Sequence, residues 1–267
     1  MSRSDACPLG CESLMRGGAA KLRQQDHTRG QDVETTQLQN ERADACAERA
    51  GFWRYLSRLF YRELDEELLE RLRGQAVLPL SDDFDADERA FARGSNKMAK
   101  YVLAQNPDTL TQSRCDYARV FLGAGSTTDD PVSPFESVYT SEEHLLMQGA
   151  RDNMFRTLIA AGLALDDDYN MPEDHISFEF QYVAHLLDAE AAACRAGDAQ
   201  AADAAQEQVR AFFENHIANW VPRFCQAAAQ LARTPFYRGL CECTAAWVCL
   251  EQRCYADDDA AAEQEVA

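Results

Sequence analysis

PEDHISFEFQYVAHLL, residues 172–187, decides the fold. Wound at 3.6 residues per turn after Pro172, it places Ile176, Phe180, Val183 and Leu187 on one face and Phe178, Tyr182 and Leu186 on another. A helix that is apolar almost all round must be covered on every side, so it belongs in the middle of a bundle. The same period runs outward in both directions. Upstream it carries Phe52, Tyr55, Leu56, Leu59 and Phe60, then Leu64, Leu68, Leu69 and Leu72. It predicts further helices over about 85–105 and 109–122, and one that Ser141 caps, with Leu146, Ala150, Met154, Leu158 and Ala161 on a stripe that Gly162 ends. Downstream, a helix from about Ala199 carries Val209, Phe213, Ile217, Trp220 and Phe224 and is kinked or divided at Pro222. The last opens with Thr234 as N-cap and Pro235 in the first turn, then spaces Phe236, Leu240, Cys243, Trp247, Leu250 and Cys254 at steps of three and four. Strand alternation is absent, so the expected architecture is all-α, a single helical bundle domain of roughly nine to eleven helices.

Both ends read differently. Residues 1–44, rich in Gln, Arg, Asp, Gly and Thr, lack apolar periodicity and are expected to form a disordered extension. The bundle domain is expected over 45–255, and residues 256–267, where Asp257, Asp258 and Asp259 lead into Ala and Glu, as an acidic disordered tail. The 267 residues carry 45 acidic against 26 Lys and Arg side chains, a net charge of -19, and 37 of the acidic residues fall in 51–267. Such a body repels phosphate backbones and anionic headgroups, which argues against nucleic acid and membrane surfaces and for a cationic partner. No run reaches the roughly 20 apolar residues of a membrane span, and the N-terminus shows no apolar export signal, so the expectation is a cytoplasmic protein. Of the ten cysteines none stands in a CxxC pair; they are expected as reduced thiols, mostly small buried hydrophobes, with Cys7 and Cys11 in the extension.

Two irregular stretches interrupt the helices: GAGSTTDDPVSPFESVYT over Gly123–Thr140, and LDDDYNMPEDH over Leu165–His175. Phe135, Val138 and Tyr139 give the first an apolar content that a mere connection does not need, and binding residues tend to sit on loops held by rigid scaffolds.

Four segments carry a resemblance. DYARVFLGAG at 116–125, PFESVY at 134–139, MPEDHIS at 171–177 and FFENHIANWVPRF at 212–224, the last followed by TPFYRGL, together resemble the TorD/DmsD family of chaperones for exported molybdoenzymes. The resemblance spans residues 50–255. Met171 departs from it, standing where the family usually has Glu, and Tyr117 stands where some members have Trp. What it implies is a cytoplasmic, non-enzymatic chaperone that binds the twin-arginine signal peptide and the apo form of a molybdoenzyme catalytic subunit. It would aid molybdenum cofactor insertion and prevent premature export, as a monomer or a helix-exchanged dimer, without a cofactor or metal of its own. The residues implied in signal-peptide binding are Tyr117, Val120, Phe121, Pro134, Glu136, Tyr139, Asp174 and His175. The chemistry fits, because two guanidinium groups beside an apolar segment call for carboxylates next to aromatic surface. Asp174 is expected at the start of its helix as a cap, its polar group free to face a partner.

Two other readings stay open. His144, Asp174, His175 and His185 could serve a helical metal-dependent hydrolase, although no HExxH or paired HD spacing, P-loop, GxSxG or GxGxxG is present. A generic helical adaptor would share the same bundle.

Overall fold

The computed structural model describes residues 29–74, 77–124, 132–164 and 171–266, with side chains from Thr36 to Tyr255. Among the described residues there are ten helices and no strand: α1 Arg29–Tyr61, α2 Glu66–Leu72, α3 Ala86–Leu103, α4 Thr109–Phe121, α5 Glu136–Thr140, α6 Gly149–Ala160, α7 Ile176–Ala196, α8 Ala199–His216, α9 Val221–Leu231 and α10 Pro235–Val266. The all-α expectation and its helix count hold. Local chemistry sets the boundaries. The Asp65 side chain accepts from Leu68 N at the start of α2, and Asp85 and Glu88 form a reciprocal capping box on α3. Gly162 takes a left-handed φ of +69° two residues past α6. Pro222 lies in the first turn of α9, whose start at Val221 follows a turn after His216.

Three boundaries differ from the sequence reading. Residues 1–28 of the expected extension lie outside the described residues, but from Arg29 onward the chain is helical. Arg42 is the reason that stretch is held: its guanidinium donates to Glu190 (2.8 Å), Asp203 (2.8 Å), Gln206 (3.2 Å) and the Ala202 carbonyl (3.1 Å), partners far away in sequence. At the other end the backbone of α10 continues through Val266, since Ala and Glu propagate a helix already nucleated on packed residues. Ser141 does not cap α6, which starts only at Gly149. It ends α5 instead, donating its N–H to the Ser137 carbonyl, and His144 and Met147 adopt positive φ in the segment that follows. His144 Nδ1 bonds the Val138 carbonyl and folds the segment back on α5, and Ser137 Oγ takes the Gln148 N–H that a helix opening at Ser141 would have used.

The chain divides into two compact units, the first of described residues up to Tyr55 with Phe180–Phe213, the second of Leu56–Glu179 with Glu214 onward. In the first, Trp53 is fully buried, with its ring centroid 4.7 Å from Phe180 and 6.3 Å from Phe213, and Tyr182 meets Phe212 edge-on at 4.6 Å. Cys46 and Cys194 are buried here, and burial pushes the Cys46 thiol up to about 12.

In the second unit an aromatic cluster joins Phe60, Tyr117, Phe121, Phe224 and Tyr237, with Phe121 centroids 5.5 Å from Phe60 and 5.4 Å from Tyr237. Asp116, buried at the base of this cluster, accepts from Arg233 N (3.0 Å), Thr234 N (2.7 Å) and Thr234 Oγ1 (2.7 Å), fixing the entry to α10. Along α3 and α10 the backbones touch. A Cβ on Gly94 would lie 2.5 Å from Cys243 N and 2.7 Å from Gly239 O, and one on Gly239 would lie 2.5 Å from Gly94 O. Cys225, Cys241 and Cys243 are buried nearby in sequence order as expected of small hydrophobes, whereas Cys115 and Cys254 are exposed.

Because those contacts are with backbone, only separation of the helices relieves them. Gly94→Ala or Gly239→Ala is expected to cost about 2 kcal/mol net of the helix propensity gained, and so to lower the melting temperature by several degrees. Gly149→Ala, where nothing lies within 4 Å of the added atom, is expected to melt at or slightly above the parent. Equal melting of all three variants would show that α3 and α10 do not approach this closely.

Candidate functional site

The two motif-bearing loops meet. Glu136 N donates to the Asp174 carbonyl (3.0 Å) and Ile176 N to the Pro134 carbonyl (2.9 Å), which makes Phe135 and His175 an isolated antiparallel bridge pair. Phe135 is extended, the Pro172–His175 segment is a turn closed by His175 N on the Pro172 carbonyl, and each ends at a helix start. The Asp174 carboxylate Oδ2 accepts from Ser137 N (2.9 Å) and from Ser137 Oγ. It therefore caps α5, the neighbouring loop's helix, and not the helix that follows it in sequence. That role falls to His175, whose Nδ1 accepts from Ser177 N (3.2 Å) and pairs with Ser177 Oγ (2.7 Å).

The expected site residues are gathered, but mostly inside. Tyr117, Val120 and Phe121 belong to the aromatic core, and the Tyr117 hydroxyl donates to the Phe60 carbonyl at 3.0 Å. Pro134, Glu136, Asp174 and His175 are all buried. Asp174 is 0% exposed, which corrects the expectation of a polar group free to face a partner. Tyr139 is half-buried, stacked on Trp220 at 5.3 Å with the Arg223 guanidinium 5.8 Å from its ring centre. Arg151 of α6 grips Glu173 through Nε (2.6 Å) and Nη2 (3.0 Å), a fork that ties α6 to the Pro172–His175 turn.

Four residues of the site escaped the sequence reading: Ser137, Glu179, His216 and Trp220. Glu179 was the readable signal, a lone carboxylate at the start of a helix otherwise apolar all round. It is fully buried, and its Oε2 accepts from Trp220 Nε1 at 3.2 Å, while the same indole N–H reaches the His216 carbonyl at 2.7 Å. His216 Nδ1 lies 2.8 Å from Glu136 Oε2. Among the described residues the group with metal-ligand spacing is therefore Glu136, Glu179 and His216; none of His144, Asp174, His175 and His185 falls in it.

Burial sets the protonation. It lowers His175 to about 3, keeping the imidazole neutral against the Phe135 ring 4.9 Å away. It raises Asp174, against the opposing pull of the two Ser137 hydrogen bonds. Burial, reinforced by the nearby Glu136 and Asp174 carboxyls, holds Glu179 well above the usual carboxylate range.

Outside this locked core the surface turns apolar and acidic. Leu145, Leu146 and Met147 in the segment after α5, and Phe155 and Ile159 on α6, are exposed, as are Glu142 and Glu143 beside them in sequence. Residues 83–226 match the nitrate reductase delta subunit family, and the chain belongs to that family. The likeness to TorD-type proteins read from the motifs holds as well. The chain is 27% identical over 209 residues to the chaperone protein TorD of Vibrio cholerae serotype O1, covering 77% of this chain and 91% of that protein. It is 26% identical over 225 residues to the chaperone protein TorD of Shewanella amazonensis (76% and 90%), and 24% over 196 residues to that of Photobacterium profundum (71% and 86%).

The buried neutral His175 gives a pH signature. Its folded value lies below the unfolded value near 6.5, so between these values the unfolded chain binds a proton that the folded chain refuses, and stability falls as pH drops below about 6.5. At about 1.4 kcal/mol per unit, His175→Asn is expected to lose about 2 kcal/mol less than the parent between pH 7.5 and 5.0 in urea unfolding. Parallel pH dependences would show that His175 titrates freely in the folded state.

Proposed function

We propose that this protein is a cytoplasmic maturation chaperone for an exported molybdoenzyme, acting by binding and not by catalysis. Its partners are the twin-arginine signal peptide and the apo form of the catalytic subunit, held back from export while the molybdenum cofactor is inserted. The observation that carries the reading is the meeting of the Pro134–Tyr139 loop with the Pro172–His175 turn through two backbone hydrogen bonds and the Asp174–Ser137 pair. The similarity to chaperone proteins of three other organisms supports it.

Within that reading the eight implied residues divide by exposure. Tyr117, Val120, Phe121, Pro134, Glu136, Asp174 and His175 act by positioning, because their side chains are buried in the fold. Tyr139 is the member with open surface. Contact with the peptide extends from it along the exposed segment that follows, where Glu142 and Glu143 accept guanidinium groups and Leu145, Leu146 and Met147 cover the apolar stretch of the leader. Acid and apolar groups in consecutive positions match a ligand that is basic first and apolar next. No helix among the described residues is long and apolar enough to cross a membrane.

The test uses the leader of whichever large subunit copurifies with the full chain, as a labelled synthetic peptide. The parent is expected to bind it with an affinity that falls as salt rises, and replacing both leader arginines by Gln should weaken it. Glu142→Gln with Glu143→Gln should weaken binding roughly five- to tenfold, as two partly screened charge-assisted contacts would. Leu146→Ser with Met147→Ser should weaken it without lowering the melting temperature, since both side chains are exposed. Unchanged affinity in both double variants would remove the segment from the binding site, and indifference to the leader arginines would overturn the reading of the charge.

A further inference from the structure

Three elements bring metal-type ligands to one place in the second unit: Glu136 opens α5, Glu179 lies in the first turn of α7, and His216 ends α8. Their donor atoms all lie within 4.8 Å of one another, and His216 Nδ1 and Glu136 Oε2 are 2.8 Å apart. A cation held at roughly 2.0–2.2 Å from nitrogen and oxygen ligands sets neighbouring donors about 3 Å apart, so small rotations of the carboxylates close the set around an ion.

A second observation points the same way. Glu179 is 0% exposed and its Oε2 accepts from the Trp220 indole N–H, which also reaches the His216 carbonyl, while its other oxygen, Oε1, is buried without a fixed donor and the proton this carboxyl holds is shared with Glu136. A buried carboxyl oxygen without a donor is costly unless something else compensates it. The indole restrains the ligand from behind, as outer-shell hydrogen bonds do in metal sites. His216 Nδ1 rests 2.8 Å from Glu136 Oε2, and an ion between them would take the place of the proton that joins them.

We infer that Glu136, Glu179 and His216 bind one first-row divalent cation of the Mn2+, Fe2+ or Zn2+ type, a clasp that joins the start of α5 to α7 and to the end of α8. Two carboxylates and one imidazole are a hard-to-intermediate donor set that suits these ions and holds no thiolate. The role is structural. Bound there, the ion takes the place of the proton that Glu179 otherwise holds and ties the start of α5 to α7 and α8, in addition to the loop's backbone bridge to the Pro172–His175 turn. The site is independent of leader binding, and its test does not require a leader.

Mn2+ is the probe, because the exposed thiols of Cys115 and Cys254 compete for Zn2+ far more strongly. The reduced full-length chain is titrated with Mn2+, free metal is followed by electron paramagnetic resonance, and the three indole N–H signals are followed by NMR. The expected result is one saturable site per chain, with the Trp220 signal broadened before those of Trp53 and Trp247. Glu179→Gln should keep the melting temperature within a few degrees, since the amide can accept from Trp220 and donate to Glu136, and should weaken Mn2+ binding at least tenfold. Glu207→Gln, exposed on α8, should leave it unchanged. If Glu179→Gln does not fold, His216→Ala must show the same loss of binding. Non-saturable uptake, simultaneous broadening of all three indole signals, or unchanged affinity in the folded ligand variants would each overturn the site.

Discussion

A carboxylate cannot be left buried without donors, and Asp174 is fully buried. The donors that meet its Oδ2 are the Ser137 N–H and hydroxyl, so the Pro134–Tyr139 loop comes to the Pro172–His175 turn, and the two backbone segments exchange hydrogen bonds on either side of the Phe135–His175 pair. The other features of the site follow from that contact. Phe135 is set against His175, Tyr139 is laid on Trp220, and Glu136 is delivered to His216 and Glu179. The loop has little helical hydrogen bonding of its own, since α5 is only five residues long, so its placement rests on these side-chain bonds.

In the proposed function, residues of this locked group serve position and the exposed neighbours serve contact. A binding loop whose buried face is over-determined presents its outer face without having to order itself when a partner arrives, which reduces the entropic cost of association. The left-handed backbone at His144 and Met147 belongs to the outer face, where Leu145, Leu146 and Met147 are exposed. The Arg151–Glu173 fork secures the same region from α6.

Most of the architecture was legible because helical periodicity is a repeated signal. The stripes through Phe52–Leu72, the apolar helix after Pro172, the break at Pro222 and the Thr234–Pro235 start each appear in the structure. What was missed depends on single long-range bonds that leave no period. Arg42 anchors a helix whose composition reads as an unfolded extension, because one guanidinium finds four acceptors 148 or more residues away. Ser141 has the chemistry of a cap, but Ser137 Oγ takes the Gln148 N–H that a helix there would need. Gly94 and Gly239 leave no mark in the helical pattern, and only the approach of α3 to α10 gives them a reason. Within the site, the sequence named the residues that meet, but not their burial. Asp174 reads as a cap in any helix-start pattern; that it caps α5 and not α7 is a tertiary fact. Glu179 and His216 stood in view, yet nothing in their spacing of 37 positions predicts that they share one cluster.

The central claim is that the Asp174–Ser137 pair holds the two loops together. A double-mutant cycle with Ser137→Ala, Asp174→Asn and the combined variant, read by urea unfolding of the full chain, measures that pair directly. The account predicts single-variant losses that do not add, with a coupling of about 1.5–3 kcal/mol, as for a hydrogen bond to a charged group. Losses additive to within about 0.5 kcal/mol would mean that the two side chains contribute separately, and would contradict it.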